Sequence, residues 1–481
     1  MKENNKEKNE FGRLLQSRIF TLKDQLDFAE FSGDKNPIHI NSLEARRTIA
    51  GQCIVHGINS LLWALDMFVS STGVTVHSCK AKFQNSVFLN EIIDCFWNEE
   101  SNKLSLVSNS IVLCSIKLEP GSVKKVDSME IPVCKTREVP EARSFKECVS
   151  LQTVSLSFFG NPEMAKQLFP SFCAKYGKAT TCDLALLSEI VGMQVPGLNS
   201  LFLSVQVNFL DNKGAKFFKI EKSDSRYGTM ELAITASTLR GLAQVVFRPS
   251  PQKSQSIDEL SKQVKKGEFK NVNALIIGGS RGLGEIIAKL IACGGGKSVI
   301  TYNSGLVEAT RLKNEITSHG EMCDILQLSI GKKSNVLDHY NGFNQLYYFA
   351  TPKIFGKRSL GFNETLYNTF VEVYVKGFAK VCEKLLQGTE HIAVFYPSSI
   401  AIEKPLASLE EYIAAKLEGE EFCKELNKKN NMTVFYPRLP RIDTDQTLSL
   451  IKALSADPAE VLLPHLREMT NNSNNKKANL L

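Results

Sequence analysis

Apolar positions along the chain change spacing in a way that divides it into three blocks. In the first, Lys23 to Phe31 has the spacing of a helix that runs into a Gly-Asp turn. The run Ile58 to Val69, with Leu61, Leu62, Ala64, Leu65 and Phe68, predicts a longer, buried helix. Val74 to Phe88, Glu91 to Trp97 and Leu104 to Leu118 then read as strands. The second block repeats that order. Thr181 to Met193 predicts the apolar helix, Pro196 and Gly197 break it, and Leu201 to Leu210 alternates as a strand through Phe202, Val205, Val207 and Phe209. Strands are expected at Lys216 to Lys222, Met230 to Ala236 and Leu242 to Phe247. In the third block the pattern switches. Strands Ala274 to Ile277, Ser298 to Tyr302, Gln345 to Ala350, His391 to Ser399 and Met432 to Tyr436 alternate with helices, beginning with Glu285 to Ile291.

One long buried helix followed by antiparallel strands is what a hot-dog fold needs, with the sheet wrapped around the helix. The expected fold class is therefore an α+β hot-dog tandem, a double hot-dog, followed by an α/β, Rossmann-type doubly wound parallel sheet. The expected domains are 11–120, 144–250 and 271–465. Between them, Glu119 to about Arg143 and Arg248 to about Lys270 read as linkers rich in charge and Pro. The first ten residues and Met469 to Leu481 read as frayed polar tails.

At 481 residues, 43% hydrophobic and 23% charged, the chain is an ordinary globular protein of two to four domains. A net charge of +7 helps to attract nucleotide phosphates, coenzyme A or an acidic carrier protein, and no more. No dense Lys/Arg patch with interleaved aromatics points to nucleic acid. No window of about 20 apolar residues offers a membrane span, and Met1 to Lys8 lacks the apolar core of a secretory signal. The twelve cysteines form no CxxC pair, so they read as small buried residues of a cytoplasmic protein, with no metal site.

Two motifs carry chemistry. In Asp34-Lys35-Asn36-Pro37-Ile38-His39, preceded by Gly33, the turn residues can present the carboxyl and the imidazole at one mouth. Adding water across an activated double bond needs a base for the water and an acid for the α carbon, and such a pair supplies both. Downstream, Gly278-Gly279-Ser280-Arg281-Gly282-Leu283-Gly284 follows a strand and opens a helix, where Gly278, Gly282 and Gly284 let backbone approach a pyrophosphate. Tyr412 and Lys416 share one helix face, so an ammonium stands near a phenol that can protonate an alkoxide. Ser399, thirteen positions before Tyr412, sits at a strand end where it can hydrogen-bond a substrate oxygen.

The string Phe28 to His39 resembles the hydratase motif of MaoC-like (R)-specific enoyl-thioester hydratases, and Ile54-Val55-His56-Gly57 resembles that family's turn into the hot-dog helix. The resemblance implies that Asp34 and His39 are the catalytic dyad and that Gly57 offers a backbone N–H to the thioester carbonyl. His56 reads as a packing and turn residue. Block two has Phe159-Gly160-Asn161-Pro162-Glu163 where the motif would stand and no His between His77 and His319, so it reads as a non-catalytic half.

Residues 271 to 445 resemble the short-chain dehydrogenase/reductases. That resemblance implies a catalytic set of Ser399, Tyr412 and Lys416. It implies cofactor contacts at Gly278, Ser280, Arg281, Gly282, Leu283, Gly284, Asn303, Ser304, Ala350 and Thr444. Thr301-Tyr302-Asn303-Ser304 carries no carboxylate for a ribose diol and Arg281 is positive, which favours NADPH over NADH. The family's Asn-Ala-Gly is replaced by Phe349-Ala350-Thr351-Pro352, which looks more like polyketide-synthase ketoreductases. Its helix Asn is replaced within Val373-Tyr374-Val375-Lys376-Gly377.

Together the resemblances imply a bifunctional enzyme of fatty-acid or polyketide-like metabolism. The rear part would reduce a 3-oxoacyl thioester and the front part would dehydrate the (R)-3-hydroxyacyl product, or hydrate in reverse. The alternatives are a degradative hydratase/dehydrogenase and a non-catalytic acyl-binding scaffold. An acyl-CoA or acyl-carrier-protein thioester is the expected partner. Carrier, chain length, direction and homo-oligomer formation stay open.

Overall fold

The computed structural model describes residues 10–210, 213–332, 336–339, 342–354, 361–386, 391–429, 431–450 and 453–478. Contacts group the chain into two compact units, Met1–Ser250 with Ser449–Ile451, and Pro251–Leu448 with Lys452–Leu481.

Unit 1 holds one ten-stranded sheet. Its strands are β1 (Arg13–Ile19), β2 (Val76–Phe83), β3 (Ile92–Asn98), β4 (Lys103–Ser108), β5 (Ile111–Pro120), β6 (Val154–Ser155), β7 (Ser200–Phe209), β8 (Phe217–Asp224), β9 (Thr229–Thr235) and β10 (Leu239–Phe247). Their spatial order is β1-β3-β4-β5-β2-β7-β10-β9-β8-β6. Read inward from either edge, the five strands of each half follow the same order. The halves meet at the antiparallel pair β2 and β7, where Cys79 faces Val207 and Ala81 faces Val205, all four buried.

Each half packs one helix in the same hydrophobic core, Gly57–Thr72 in the first and Lys178–Glu189 in the second. Leu61, Leu62, Leu65 and Phe68 are at most 1% exposed, each removing about 1.5–3 kcal/mol worth of apolar surface from water. One buried carboxylate on each of these helices is bonded. Asp66 accepts from the Phe172 N–H (2.7 Å), and Asp183 accepts from the N–H and hydroxyl of Thr238 (2.8 Å each).

The strand expected over Leu104 to Leu118 is two strands. Asn109 and Ser110, both at positive φ (49° and 64°), make a tight turn of the handedness that matches strand twist, and the chain folds back as β4 and β5. The helix expected over Thr181 to Met193 starts at Lys178 and changes at Ile190 to a π turn, Ile190–Gln194. β1 was not expected, because most of its side chains are exposed and show little alternation.

Unit 2 is a six-stranded parallel sheet built from β11 (Asn273–Ile277), β12 (Lys297–Tyr302), β13 (Cys323–Gln327), β14 (Gln345–Tyr348), β15 (Ile392–Phe395) and, after the two-residue β16 (Ser398–Ser399), β17 (Met432–Phe435). The order β13-β12-β11-β14-β15-β17 places the first three strands outward in reverse and the last three outward in sequence, which is the doubly wound arrangement. Two separate cores cover its faces, one including Gly282–Cys293 and the helix beginning at Pro458, the other including Glu364–Val371 and Glu410–Leu426.

Two expectations fail here. The region from Arg248 to Lys270 contains the helix Ile257–Ser261, whose Ile257 and Leu260 are buried in unit 2's core. The tail expected to fray from Met469 is helical to Ala478, because Leu462, Leu466 and Met469 anchor the helix Pro458–Ala478; the rest of that tail, 479–481, and residues 1–9 of the first one lie outside the described residues. Among the described residues no helix is long and apolar enough to cross a membrane.

Candidate functional site

Helix Leu22–Ser32 is closed at its start by a Thr21/Asp24 capping box and at its end by Gly33 in the left-handed region (φ 83°). That turn delivers Asp34. Asn36 then caps the short helix Pro37–Ile40 through the Ile38 N–H (3.2 Å), which places His39 one turn on. The Asn36 amide also donates to the carbonyls of Gly192 (2.8 Å) and Gly197 (3.1 Å), so the second half holds the turn in place.

The structure brings Asp34, His39 and His56 together, with one side-chain ligand atom from each all within 4.8 Å of one another. His39 Nδ1–H donates to the Ile54 carbonyl (2.8 Å), which leaves the Nε2 lone pair free to accept a proton. The His39 ring stacks on His56 (centroids 3.8 Å apart). His56 Nε2 in turn donates to the Asp34 carbonyl (3.0 Å), and its Nδ1 meets Gln25 (2.9 Å). His56 is thus wholly buried and fixes both partners.

Burial pushes the Asp34 carboxyl up to about 7, against hydrogen bonds from Ser188 and the Asn36 N–H that favour the anion. Burial pushes His39 down to about 4, against its bond to Ile54 and helped by the charge of Arg248. A carboxyl and an imidazole in one place, moved in opposite directions, form an acid and a base at neutral pH. His56, their buried N-cap neighbour, makes no side-chain cap to helix Gly57–Thr72, so that helix's N-terminal N–H groups, Gly57 among them, are left for a ligand. Phe83 and Phe202 flank Gly57, and a Cβ there would come within 3.2 Å of the Phe83 ring, so glycine also has a steric reason.

In unit 2 the expected residues collect at the carboxyl ends of the strands. Gly278 is in the left-handed region (φ 74°), and a Cβ there would press on the Ala350 N–H. Gly284 packs against the backbone of Gly278, which pulls the helix start onto the turn. Arg281, the N-cap of Gly282–Cys293, gives no side-chain cap, and a Cβ on Gly282 would meet open space. These features fit a dinucleotide pyrophosphate at the helix N-terminus. Other expected contacts are already engaged: Arg281 reaches Asp445 (3.4 Å), Asn303 accepts from Ser329 (2.6 Å), and Thr444 caps the turn Asp445–Thr447.

Tyr412 hydrogen-bonds Ser399; burial raises its phenol and that bond lowers it. Lys416 Nζ donates to the Pro397 carbonyl (2.7 Å) and lies over the rings of Tyr374 (3.9 Å), Tyr396 (4.7 Å) and Tyr412 (5.9 Å). Burial pushes this ammonium down to about 7.

Residues 9–106 match the family described as MaoC like domain. The solved structures similar to the chain include a short chain dehydrogenase from Shigella flexneri (15% identity, 43% of this chain and 88% of that one, TM-score 0.39). Others are FolM alternative dihydrofolate reductase 1 from Brucella suis in complex with NADP (17%, 43% and 87%, TM-score 0.34) and acetoin dehydrogenase YohF from Salmonella typhimurium (16%, 40% and 89%, TM-score 0.35). None of the curated proteins compared matches the chain.

The MaoC-like site has parts outside residues 9–106 that the sequence did not reveal. Ser188 donates to Asp34 Oδ2 (2.7 Å), and a Cβ on Gly192 would overlap the Asp34 carboxylate, 2.5 Å from Oδ2. Met193 Sδ accepts from the Lys35 N–H (3.2 Å). Removing the hydroxyl in Ser188→Ala takes a donor from the Asp34 anion. A bond of about 1.5–3 kcal/mol to a charged group corresponds to about 1–2 pH units. The pH at which Asp34 releases its proton, followed by carboxyl NMR, is therefore expected to move up by that much, and an unmoved titration would separate Ser188 from Asp34 ionisation.

Proposed function

We propose that the protein is a bifunctional acyl-thioester enzyme. Residues 11–120 and 144–250 act as a double hot-dog (R)-3-hydroxyacyl dehydratase/enoyl hydratase, and residues 271–465 as an NADPH-dependent 3-oxoacyl-thioester reductase. The observation that carries it is the juxtaposition of Asp34 and His39 with their proton affinities moved apart.

In hydration, His39 Nε2 takes a proton from water as the oxygen adds to the β carbon. The protonated Asp34 gives its proton to the α carbon, while charge drawn onto the thioester oxygen meets the helix N-terminus at Gly57. The proton then passes from His39 back to Asp34, and dehydration is the same sequence reversed. Bound NADPH would supply a hydride to the β carbonyl in the reductase. There Ser399 orients the carbonyl oxygen, Tyr412 gives it the phenolic proton, and Lys416 supplies nearby positive charge.

This reading is supported at the cofactor by the Gly278–Gly284 turn and by the uncapped helix behind it. The acyl carrier is coenzyme A or a carrier protein, with synthesis as the favoured direction because NADPH drives reduction.

The working form of the dyad holds one proton. The pair is expected to give a bell-shaped kcat/KM for crotonyl-thioester hydration, with limbs near pH 4 and pH 7. A rate that climbs through pH 7 to a plateau would mean that the Asp34 proton is not delivered. Incubating the protein with acetoacetyl thioesters of both carriers and NADPH or NADH, and following the nicotinamide and enoyl absorbances with chiral product analysis, tests both halves. Failure of either absorbance to change overturns the corresponding half.

A further inference from the structure

Arg248 follows β10 and is only 2% exposed. A guanidinium carries five N–H donors in a planar fork and stays charged in protein interiors. Here Nη2 donates to the Leu198 carbonyl, and Nε is buried with no acceptor. Among the described residues no carboxylate forms an ion pair with it. A buried cation without a counter-charge is costly, because water's solvation has been removed and a single carbonyl replaces only part of it. Burial lowers its affinity for its proton to about 10, which still leaves it a cation at neutral pH.

Its position is set by two bonds of its own. The Arg248 N–H donates to the Asn199 carbonyl (2.8 Å), which pins the residue to the loop before β7. The Leu198 carbonyl that receives Nη2 also receives the Asn36 amide (3.4 Å), and Asn36 caps the helix bearing His39. The charge is felt at His39. Asn199, whose carbonyl receives the Arg248 N–H, also has its side-chain Oδ1 buried without a partner. A desolvated, uncompensated cation thus borders the dyad on the side formed by the second half.

We propose that Arg248 binds an oxyanion of the acyl thioester in the site of Asp34 and His39. This rests on the hydratase reading. Two sources share that chemistry: the thioester oxygen, which gains charge during hydration of every substrate, and a fixed carboxylate on the acyl chain of a dicarboxylic monothioester.

The test compares wild type, Arg248→Lys and Arg248→Met. Without ligand, Arg248→Met is expected to melt no lower than wild type, because it removes an uncompensated charge. Acetate at constant ionic strength is expected to raise the wild-type melting temperature and not that of Arg248→Met. Hydration of crotonyl and fumaryl monothioesters then separates the sources. A loss of kcat/KM of about 10²–10³-fold on both identifies the thioester oxygen, and a loss on the fumaryl substrate alone identifies the carboxylate. Arg248→Lys, which keeps charge without the fork, should recover part of the loss. A melting temperature several degrees lower in ligand-free Arg248→Met, or unchanged kinetics on both substrates, overturns the proposal. If wild type hydrates neither substrate, the hydratase reading fails, and the acetate shift still decides whether Arg248 holds an anion.

Discussion

Asparagine in place of Asp34 is expected to lower enoyl-thioester hydration by about 10²–10⁴-fold and to leave NADPH-dependent reduction unchanged. The amide keeps the shape of the carboxyl and can still accept from Ser188, but it has no acidic proton for the α carbon. The folded state can be checked by a second consequence of the same burial. Asp34 binds its proton up to about pH 7 in the fold, whereas a free carboxyl releases it near 3.8. The stabilisation from that retained proton is complete below the unfolded value and is lost as pH rises through about 7. Glu189, pushed by burial up to about 8, has the same sign. The buried imidazoles His39 and His56 have the opposite sign, but their contribution is complete above the ordinary imidazole value near 6.5, so wild-type unit 1 should lose about 2 kcal/mol of stability between about pH 6.5 and pH 8. Asp34→Asn should flatten part of that slope in urea titrations. Retained hydration, or loss of reduction in a folded variant, would defeat the two-site reading.

What was legible in the sequence follows from how local each feature is. Asp34 and His39 stand five positions apart, and Gly33 and Asn36-Pro37 form the turn between them by short-range bonds, so a string of twelve residues carried the dyad. Ser188, Gly192 and Met193 reach Asp34 and Lys35 from more than 150 positions away. Within Ile190–Gln194 the apolar spacing looks like a continuing helix, while the backbone there is a π turn that sets Gly192 against the carboxylate. Arg248 was read as the first residue of a linker because Pro249 and Pro251 follow it. A single backbone bond to Asn199 returns it to the fold. The hairpin between β4 and β5 was hidden because Asn109-Ser110 takes positive φ without a glycine. In unit 2, β11 announced itself by the glycines after it, whereas β13 alternates only weakly and has no such punctuation.

Phenylalanine in place of Tyr412 is expected to reduce 3-oxoacyl-thioester reduction by about 10²–10⁴-fold and to leave hydration intact. The ring keeps its packing against Phe370 and Tyr374, and what is lost is the hydroxyl bonded to Ser399 and its transferable proton. The usual helix Asn of the resembling reductases has no counterpart here. Tyr374 lies in the π turn Glu372–Gly377, its hydroxyl meets Thr351 (2.5 Å), and its ring lies beneath Lys416. Lys416 is therefore held by a carbonyl and aromatic faces, and burial leaves it close to losing its charge at about pH 7. Since the ammonium is what favours proton release from Tyr412, reduction is expected to fall as pH rises through about 7. Lys416→Met should remove that pH dependence along with most of the rate. A Tyr412→Phe variant that reduces acetoacetyl thioester at the wild-type rate would assign the proton to another group. The Thr351–Tyr374 hydroxyl pair would then be the next to replace, because Tyr374 packs directly against the Tyr412 ring.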